Sequence, residues 1–179
     1  MRSAADGLPR VGISACLLGE RVRYDGRDKR TAHIVEGLGP HVEWVSVCPE
    51  VEAGLGVPRP AMRLEQASGG LRLVEIDGGR DHTERMREHA AGRVLALRAL
   101  ELCGYVLKTR SPSCGIHGVP LHRHGARWRP EGRGLFAAAL IEAYAALPMA
   151  DEEELADPAR LAAFLARVVA YGGQRDRSA

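Results

Sequence analysis

The sequence predicts an α/β fold, a three-layer sandwich with a largely parallel, Rossmann-like sheet. Two observations carry that prediction. Short runs rich in β-branched and apolar residues, at 11–15, 42–47 and 105–108, are interleaved with stretches of helical periodicity, the pattern of strands joined by crossover helices. Each run also leads into a cysteine whose neighbours cannot continue the strand: Cys16 in Gly-Ile-Ser-Ala-Cys-Leu-Leu-Gly, Cys48 in Val-Ser-Val-Cys-Pro-Glu-Val, and Cys114 in Ser-Pro-Ser-Cys-Gly. In an open parallel sheet the loops at the carboxyl ends of the strands face one crevice, where ligands bind. Three thiols from distant parts of the chain are therefore expected to meet.

In chain order, residues 1–9 read as a loose leader, 10–172 as a single domain and 173–179 as a loose tail. The first strand, 11–15, ends at Cys16, and Gly19 with the turn pair Asp25-Gly26 marks the loop that follows. A short helix over 29–38 stops at Gly39-Pro40. The β-branched run 42–47 ends at Cys48-Pro49, and Gly54, Gly56, Pro58 and Pro60 keep the next stretch irregular. Runs 62–66 and 71–76 around Ser68-Gly69-Gly70 form a hairpin.

A long helix starts near Asp81, with Glu84 at capping-box spacing, and runs to Cys103, where Gly104 stops it. Met86, Ala90, Val94, Leu97, Leu100 and Cys103 are its buried stripe. After the strand 105–108, residues 117–133 read as a surface loop holding His117, His122 and His124. The Ala-rich segment 135–147 is a buried helix ended by Pro148. Asp157-Pro158 opens a last helix that ends near Gly172.

A chain of 179 residues with 45% hydrophobic and 27% charged residues has ample material for one core. The 25 basic and 23 acidic residues are near balance, so the charge lends nucleic-acid binding no support. No signal core and no apolar run of bilayer length is present, so no membrane role and a cytoplasmic location are expected, as a monomer or weak homodimer. Thiols there stay reduced, which favours metal binding, catalysis or simple burial over disulfides.

Three soft ligands at one crevice suggest a metal centre with one position open. Thiolates suit iron–sulfur clusters, zinc and copper. Structural zinc usually takes four ligands, often in close pairs, and no two of Cys16, Cys48 and Cys114 are close in sequence. Cys103 reads as a small buried hydrophobe. A four-iron cluster takes four thiolates, so with three one iron keeps a free site. Glu50, two residues after Cys48, is either an acid or base for the crevice or a solvated loop carboxylate. Ser111 and Ser113 flank Pro112, and local backbone bonding is the simpler reading for Ser113. Lys108 and Arg59 are steering charges or ordinary surface ones, and Tyr24 belongs to a lid or a tight turn. The three histidines lack the paired spacing of a zinc site.

Three blocks in order, Cys-Leu-Leu-Gly with Val-Arg-Tyr-Asp-Gly (16–19, 22–26), Cys-Pro-Glu-Val with Gly-Leu and Pro-Arg (48–51, 54–55, 58–59), and Leu-Lys with Ser-Pro-Ser-Cys-Gly (107–108, 111–115), resemble the thiouracil desulfurase (desulfidase) family. The resemblance spans residues 10–147. It implies a [4Fe-4S] cluster held by three cysteines, matching Cys16, Cys48 and Cys114, with one open iron. It implies catalytic roles for Glu50 and Ser111, and a small thiolated nucleobase or nucleotide as substrate. Ser113, Lys108, Arg59 and Tyr24 are then expected to bind that substrate. Two rivals stand beside it. One is a non-catalytic metal-binding sensor or scaffold. The other is a tRNA-type sulfurtransferase, which would favour an ATP-binding loop and a basic face; the sequence shows no P-loop pattern.

Overall fold

A computed structural model of the chain describes residues 7–123 and 126–175. Two sheets organise it. The first has the order β2-β1-β5-β8, with β1 Arg10–Ser14, β2 Glu43–Val47, β5 Gly104–Leu107 and β8 Met149–Asp151, and every pairing in it is parallel. Side chains alternate along these strands with the period of two that a pleat imposes. Val11, Ile13 and Val106 face α1 (Ala32–Leu38) and α5 (Pro158–Arg175) through Ile34, Leu38, Phe164 and Val168. Val47, Tyr105 and Leu107 face α3 (Thr83–Arg98) and α4 (Leu135–Ala143) through Ala90, Val94, Leu97, Phe136 and Leu140. Helices therefore cover both faces, which is the expected three-layer sandwich. Each fully buried Leu or Phe in these layers stabilises the fold by about 1.5–3 kcal/mol.

Close packing explains one glycine in the central strand. A Cβ on Gly12 would stand 2.3 Å from the Tyr105 ring, so Gly12 is what lets that ring lie across β1.

The second sheet, order β4-β3-β6-β7, is a feature the sequence reading did not contain. The expected hairpin is there: β3 (Met62–Ala67) pairs antiparallel with β4 (Gly70–Glu75) in a register running from Met62 opposite Glu75 to Ala67 opposite Gly70. The stretch read as a surface loop supplies β6 (Val119–Arg123), parallel to β3, and β7 (Ala126–Gly132), antiparallel to β6. Its His, Arg and Gly content hid the strands; the buried Val119 and Leu121 alternate, and they pack with Leu64, Leu73, Met86 and Leu135.

Other boundaries move for local reasons. α3 ends at Arg98, and Glu101 at a φ of 55° turns the chain, so Gly104 begins β5 instead of closing a helix. Cys103 consequently lies off the helix, just before β5, yet remains buried beside α5. Asp81 accepts the Thr83 N–H at 2.8 Å, while Glu84 pairs with Arg87, so no capping box forms between 81 and 84. One helical turn, α2 (Pro49–Glu52), follows Cys48 directly, where an irregular stretch was expected. α4 stops at Ala143, and the short β8 lies in a segment to which no strand had been assigned. Asp157 caps α5 as expected, accepting the Ala159 N–H at 2.8 Å, and α5 runs on to Arg175. Residues 1–6 of the expected leader, residues 176–179 of the tail, and His124 lie outside the described residues. Among the described residues no helix is long and apolar enough to cross a membrane.

Candidate active site

The chain passes from β1 outward to β2, then returns to β5 on the other side of β1. That reversal makes the carboxyl end of β1 a topological switch point, where a crevice opens between diverging loops. All three predicted cysteines stand there. Cys16 lies in a 3-10 turn (Ala15–Leu18) directly after β1, and Gly19, at a φ of 100°, ends that turn. Cys48 is the residue between β2 and α2, and Cys114 lies on the loop after β5. Together they line one cavity of about 440 Å³. Ala61, Met62 and Ile76, at the base of the β3–β4 hairpin, also line it, a placement that the hairpin alone did not reveal. Cys103, at the amino end of β5, is on the opposite end of the sheet from this cavity.

All four cysteines are free thiols. Burial pushes Cys16 up to about 11, helped by the nearby Cys48 and opposed by Lys108 and Arg23. Burial likewise raises Cys48, against the pull of the Val51 backbone N–H. It also raises Cys114, where a hydrogen bond with the Ser14 side chain acts the other way and Cys48, Glu50 and Cys16 add to the rise. The three thiols thus sense one another across the cavity. A site that discourages bare thiolates becomes favourable for them when a cationic metal group neutralises the charge. Among the described residues no three Cys, His, Asp or Glu side chains are grouped tightly enough for a single ion. Three thiols lining one cavity are a donor set that fits a four-iron cluster, which takes one thiolate per iron.

The Cys114 loop is built by its two serines, and the local backbone bonding expected of Ser113 is made by Ser111. Ser111 does the turn chemistry: its Oγ accepts the N–H groups of Ser113 at 3.2 Å and Cys114 at 3.0 Å, and the residue lines the cavity. Ser113 is fully buried and donates its hydroxyl to Glu50 Oε1 at 2.8 Å, so its side chain holds Glu50 and is closed off from solvent. The same loop caps α4, because the Leu135 N–H donates to Pro112 O at 3.1 Å and that of Phe136 to Ser113 O at 3.0 Å. Gly134 is needed for this seat: a Cβ there would lie 2.4 Å from the Ser113 carbonyl.

Glu50 lines the cavity from the first turn of α2. Its Oε2 receives Arg59 Nε at 2.8 Å and Nη2 at 2.6 Å, and Arg59 Nη1 donates to Gly56 O at 2.8 Å. Arg59 was expected to steer substrate; its guanidinium is instead committed to holding a carboxylate. Its backbone N–H also donates to Tyr24 O at 2.9 Å, which ties the Tyr24 turn to the Glu50 side. Tyr24 itself is exposed at the cavity, with the Arg23 guanidinium 5.5 Å from its ring centroid.

Lys108 reaches the cavity, but its ammonium donates to Thr109 O at 3.1 Å, to Thr109 Oγ1 at 2.8 Å and to Glu152. Those bonds account for its three donors. Glu152 was missed: it sits in the acidic run 151–154, which on sequence alone reads as solvated. Ser14, whose Oγ accepts the Lys108 N–H at 3.0 Å, was missed too; its only signal was its place at the end of a strand two residues before Cys16. His117 is exposed, 3.4 Å from Asp151, and His122 lies on β6; neither lines the cavity.

A family model described as 2-thiouracil desulfurase matches residues 11–152. The chain is 30% identical over 108 residues to a Bacillus subtilis (strain 168) protein described as "Uncharacterized protein YbbK", a match covering 58% of this chain and 71% of the relative. It also resembles a solved structure described as [4Fe-4S]-dependent thiouracil desulfidase TudS, with 31% identity and a TM-score of 0.65 over 83% of this chain and 93% of that one. With a match that spans the switch point, all three cysteine loops and Glu152, this chain belongs to the 2-thiouracil desulfurase family and is an enzyme of that kind.

Proposed function

We propose that the chain removes sulfur from a thiolated uracil by hydrolysis, turning a thiocarbonyl into a carbonyl and releasing sulfide, with an iron–sulfur cluster held by Cys16, Cys48 and Cys114. The observation that carries the reading is the convergence of three thiols and a clamped carboxylate on one cavity. When bound, the cluster supplies an iron with no protein ligand, a soft Lewis acid for a thiocarbonyl sulfur.

The remaining chemistry belongs to the chain. Arg59 and Ser113 leave Glu50 Oε1 with a lone pair beyond the Ser113 bond, available to a water in the cavity. Glu50 takes a proton from that water as its oxygen adds to the thiocarbonyl carbon. As the tetrahedral carbon collapses to C=O, Glu50 gives its proton to the departing sulfur, which leaves as hydrosulfide, and then takes up the remaining hydroxyl proton and passes it to solvent. One water is consumed for each sulfide, and no electrons are transferred. Ser111, whose Oγ accepts two backbone N–H bonds, keeps its own O–H to donate to the substrate. Tyr24 offers its ring to the flat face of the base, and the apolar Met62 and Ile76 exclude water from that side. Lys108 keeps its place as a positioning charge. The four free thiols suit a reducing compartment, which supports a cytoplasmic location.

The test is anaerobic purification, iron and sulfide analysis, and then addition of 2-thiouracil. The expected result is about four irons per chain with uracil and sulfide released in equal amounts. A loaded chain that leaves thiouracil intact would restore the sensor or scaffold reading.

A further inference from the structure

Three consecutive acidic residues at the end of β8 and just beyond it each reach a partner on the segment that carries Cys114. Asp151 Oδ2 lies 3.4 Å from His117 Nε2, Glu152 holds Lys108 and Thr109, and Glu153 pairs with Arg110. They are not equivalent. The Arg110 and Glu153 side chains are 63% and 57% exposed, whereas Glu152 as a whole is 8% exposed. Glu152 Oε2 accepts the Thr109 N–H at 2.7 Å; Oε1 accepts the Thr109 hydroxyl at 2.6 Å and the Lys108 ammonium. The Lys108 N–H in turn donates to Ser14 Oγ at 3.0 Å, and Ser14 is buried at the end of β1 against the cavity. One carboxylate therefore ties the end of β8 to the chain just beyond β5, and the Lys108 backbone carries the link on to the end of β1.

We propose that Glu152 is a positioning residue for the thiol site: its carboxylate locks the segment from Lys108 onward so that Cys114 stays in register with Cys16 and Cys48. Ladder pairing cannot do this, because the last paired residue of β5 is Leu107. Beyond it the chain turns through Arg110 at a φ of 54°, a conformation that a non-glycine residue keeps only when its surroundings enforce it. Glu152 binds the residue just before that turn through both its backbone and its side chain. The carboxylate accepts from every side; a glutamine amide cannot, since one of its two ends is a donor and would face either the Thr109 N–H or the Lys108 ammonium. Glu152→Gln is thus a change of one end of one side chain that sets donor against donor.

The effect on thiol reactivity does not depend on the cluster; the effect on iron retention rests on the function proposed above. In the folded, reduced, metal-free chain Cys114 is only 7% exposed at the cavity wall, so iodoacetamide reaches it slowly, and faster whenever its loop opens. Peptide mass spectrometry reads the alkylation rate at each cysteine. Glu152→Gln is expected to speed alkylation of Cys114 about tenfold, the scale of one lost charge-assisted hydrogen bond. Cys103 and the far-ultraviolet circular dichroism should stay as in the parent chain, and Glu153→Gln should leave the Cys114 rate unchanged. A parental rate at Cys114 in Glu152→Gln, or an equal rise at Cys103, overturns the proposal. If Glu152→Gln does not fold, Thr109→Val decides, since it removes only the hydroxyl: a rise of about threefold supports the lock, and a parental rate overturns it. In the anaerobically loaded enzyme, Glu152→Gln should lose iron to a chelator about ten times faster, and equal loss rates also overturn it. If the parent chain takes up no iron, it is the cluster reading that fails, and the alkylation rates still decide the role of Glu152.

Discussion

Replacing Arg59 by methionine should destabilise the chain and release Glu50 from its seat. The two side chains are 5% and 13% exposed, so water compensates little when one charge is removed. Methionine fills much of the same volume but leaves the Glu50 carboxylate with the Ser113 hydroxyl as its remaining side-chain donor. Breaking a buried ion pair by deleting one partner costs about 3–5 kcal/mol. The Gly56 carbonyl, which also loses its bond from Arg59, adds about 1 kcal/mol. Glu50 borders the cavity, so partial access of water brings the sum back to about 4 kcal/mol. At roughly 2–4 °C per kcal/mol for a chain of this size, the melting temperature should fall by about 10 °C. The assay is thermal unfolding of the metal-free chain at neutral pH, followed by circular dichroism, for Arg59→Met, Glu50→Gln and the double variant. The double variant leaves no stranded charge and should melt several degrees above Arg59→Met alone, a coupling that a double-mutant cycle isolates. An Arg59→Met melt within about 3 °C of the parent, or strictly additive effects, would refute the reasoning.

Glu50→Gln with Arg59 retained should bind iron normally but turn over at least about a hundredfold more slowly; a near-parental rate in the thiouracil assay would remove Glu50 from the chemistry. Alanine at Cys16, Cys48 or Cys114 should abolish iron binding and activity together. Cys103→Ala should leave iron content unchanged and cost about 1 kcal/mol through lost packing in denaturant titrations. Raising the pH should also destabilise the metal-free chain: Cys16 ionises near 11 when folded and near its ordinary 9.0 when unfolded. Between those values the unfolded chain sheds the proton first, so the Cys16 contribution is full below pH 9 and is lost toward pH 11. Cys48 and Cys114 shift in the same direction, so urea midpoints measured from pH 8 to 11 should fall, and fall less in Cys16→Ala.

What could be read in advance was local. β1, β2 and β5 were legible because they are short runs rich in apolar or β-branched residues, and a cysteine follows each of them. The Met62–Ala67 and Gly70–Glu75 hairpin was legible because its turn lies between its own strands. β6 escaped notice because its partner β3 lies far back in the chain, and nothing in Val119–Arg123 announces a pairing that only the fold creates. The α3 boundary failed for a similar reason: periodicity continued past Arg98, but the chain had to turn at Glu101 to enter β5.

The amino-acid order by itself determined that three thiols would stand at one end of a parallel sheet, since strand direction and strand ends are written in neighbouring residues; it left Glu50 between that crevice and a solvated loop. Only the tertiary structure decided what the other polar groups do there. Ser113 and Arg59 hold Glu50, Ser111 folds the Cys114 loop, and Lys108 is bound to Glu152. A hydroxyl or a charge has several possible partners along a chain, and burial, a property of the folded whole, selects among them because an unpaired polar group away from water is too costly to keep.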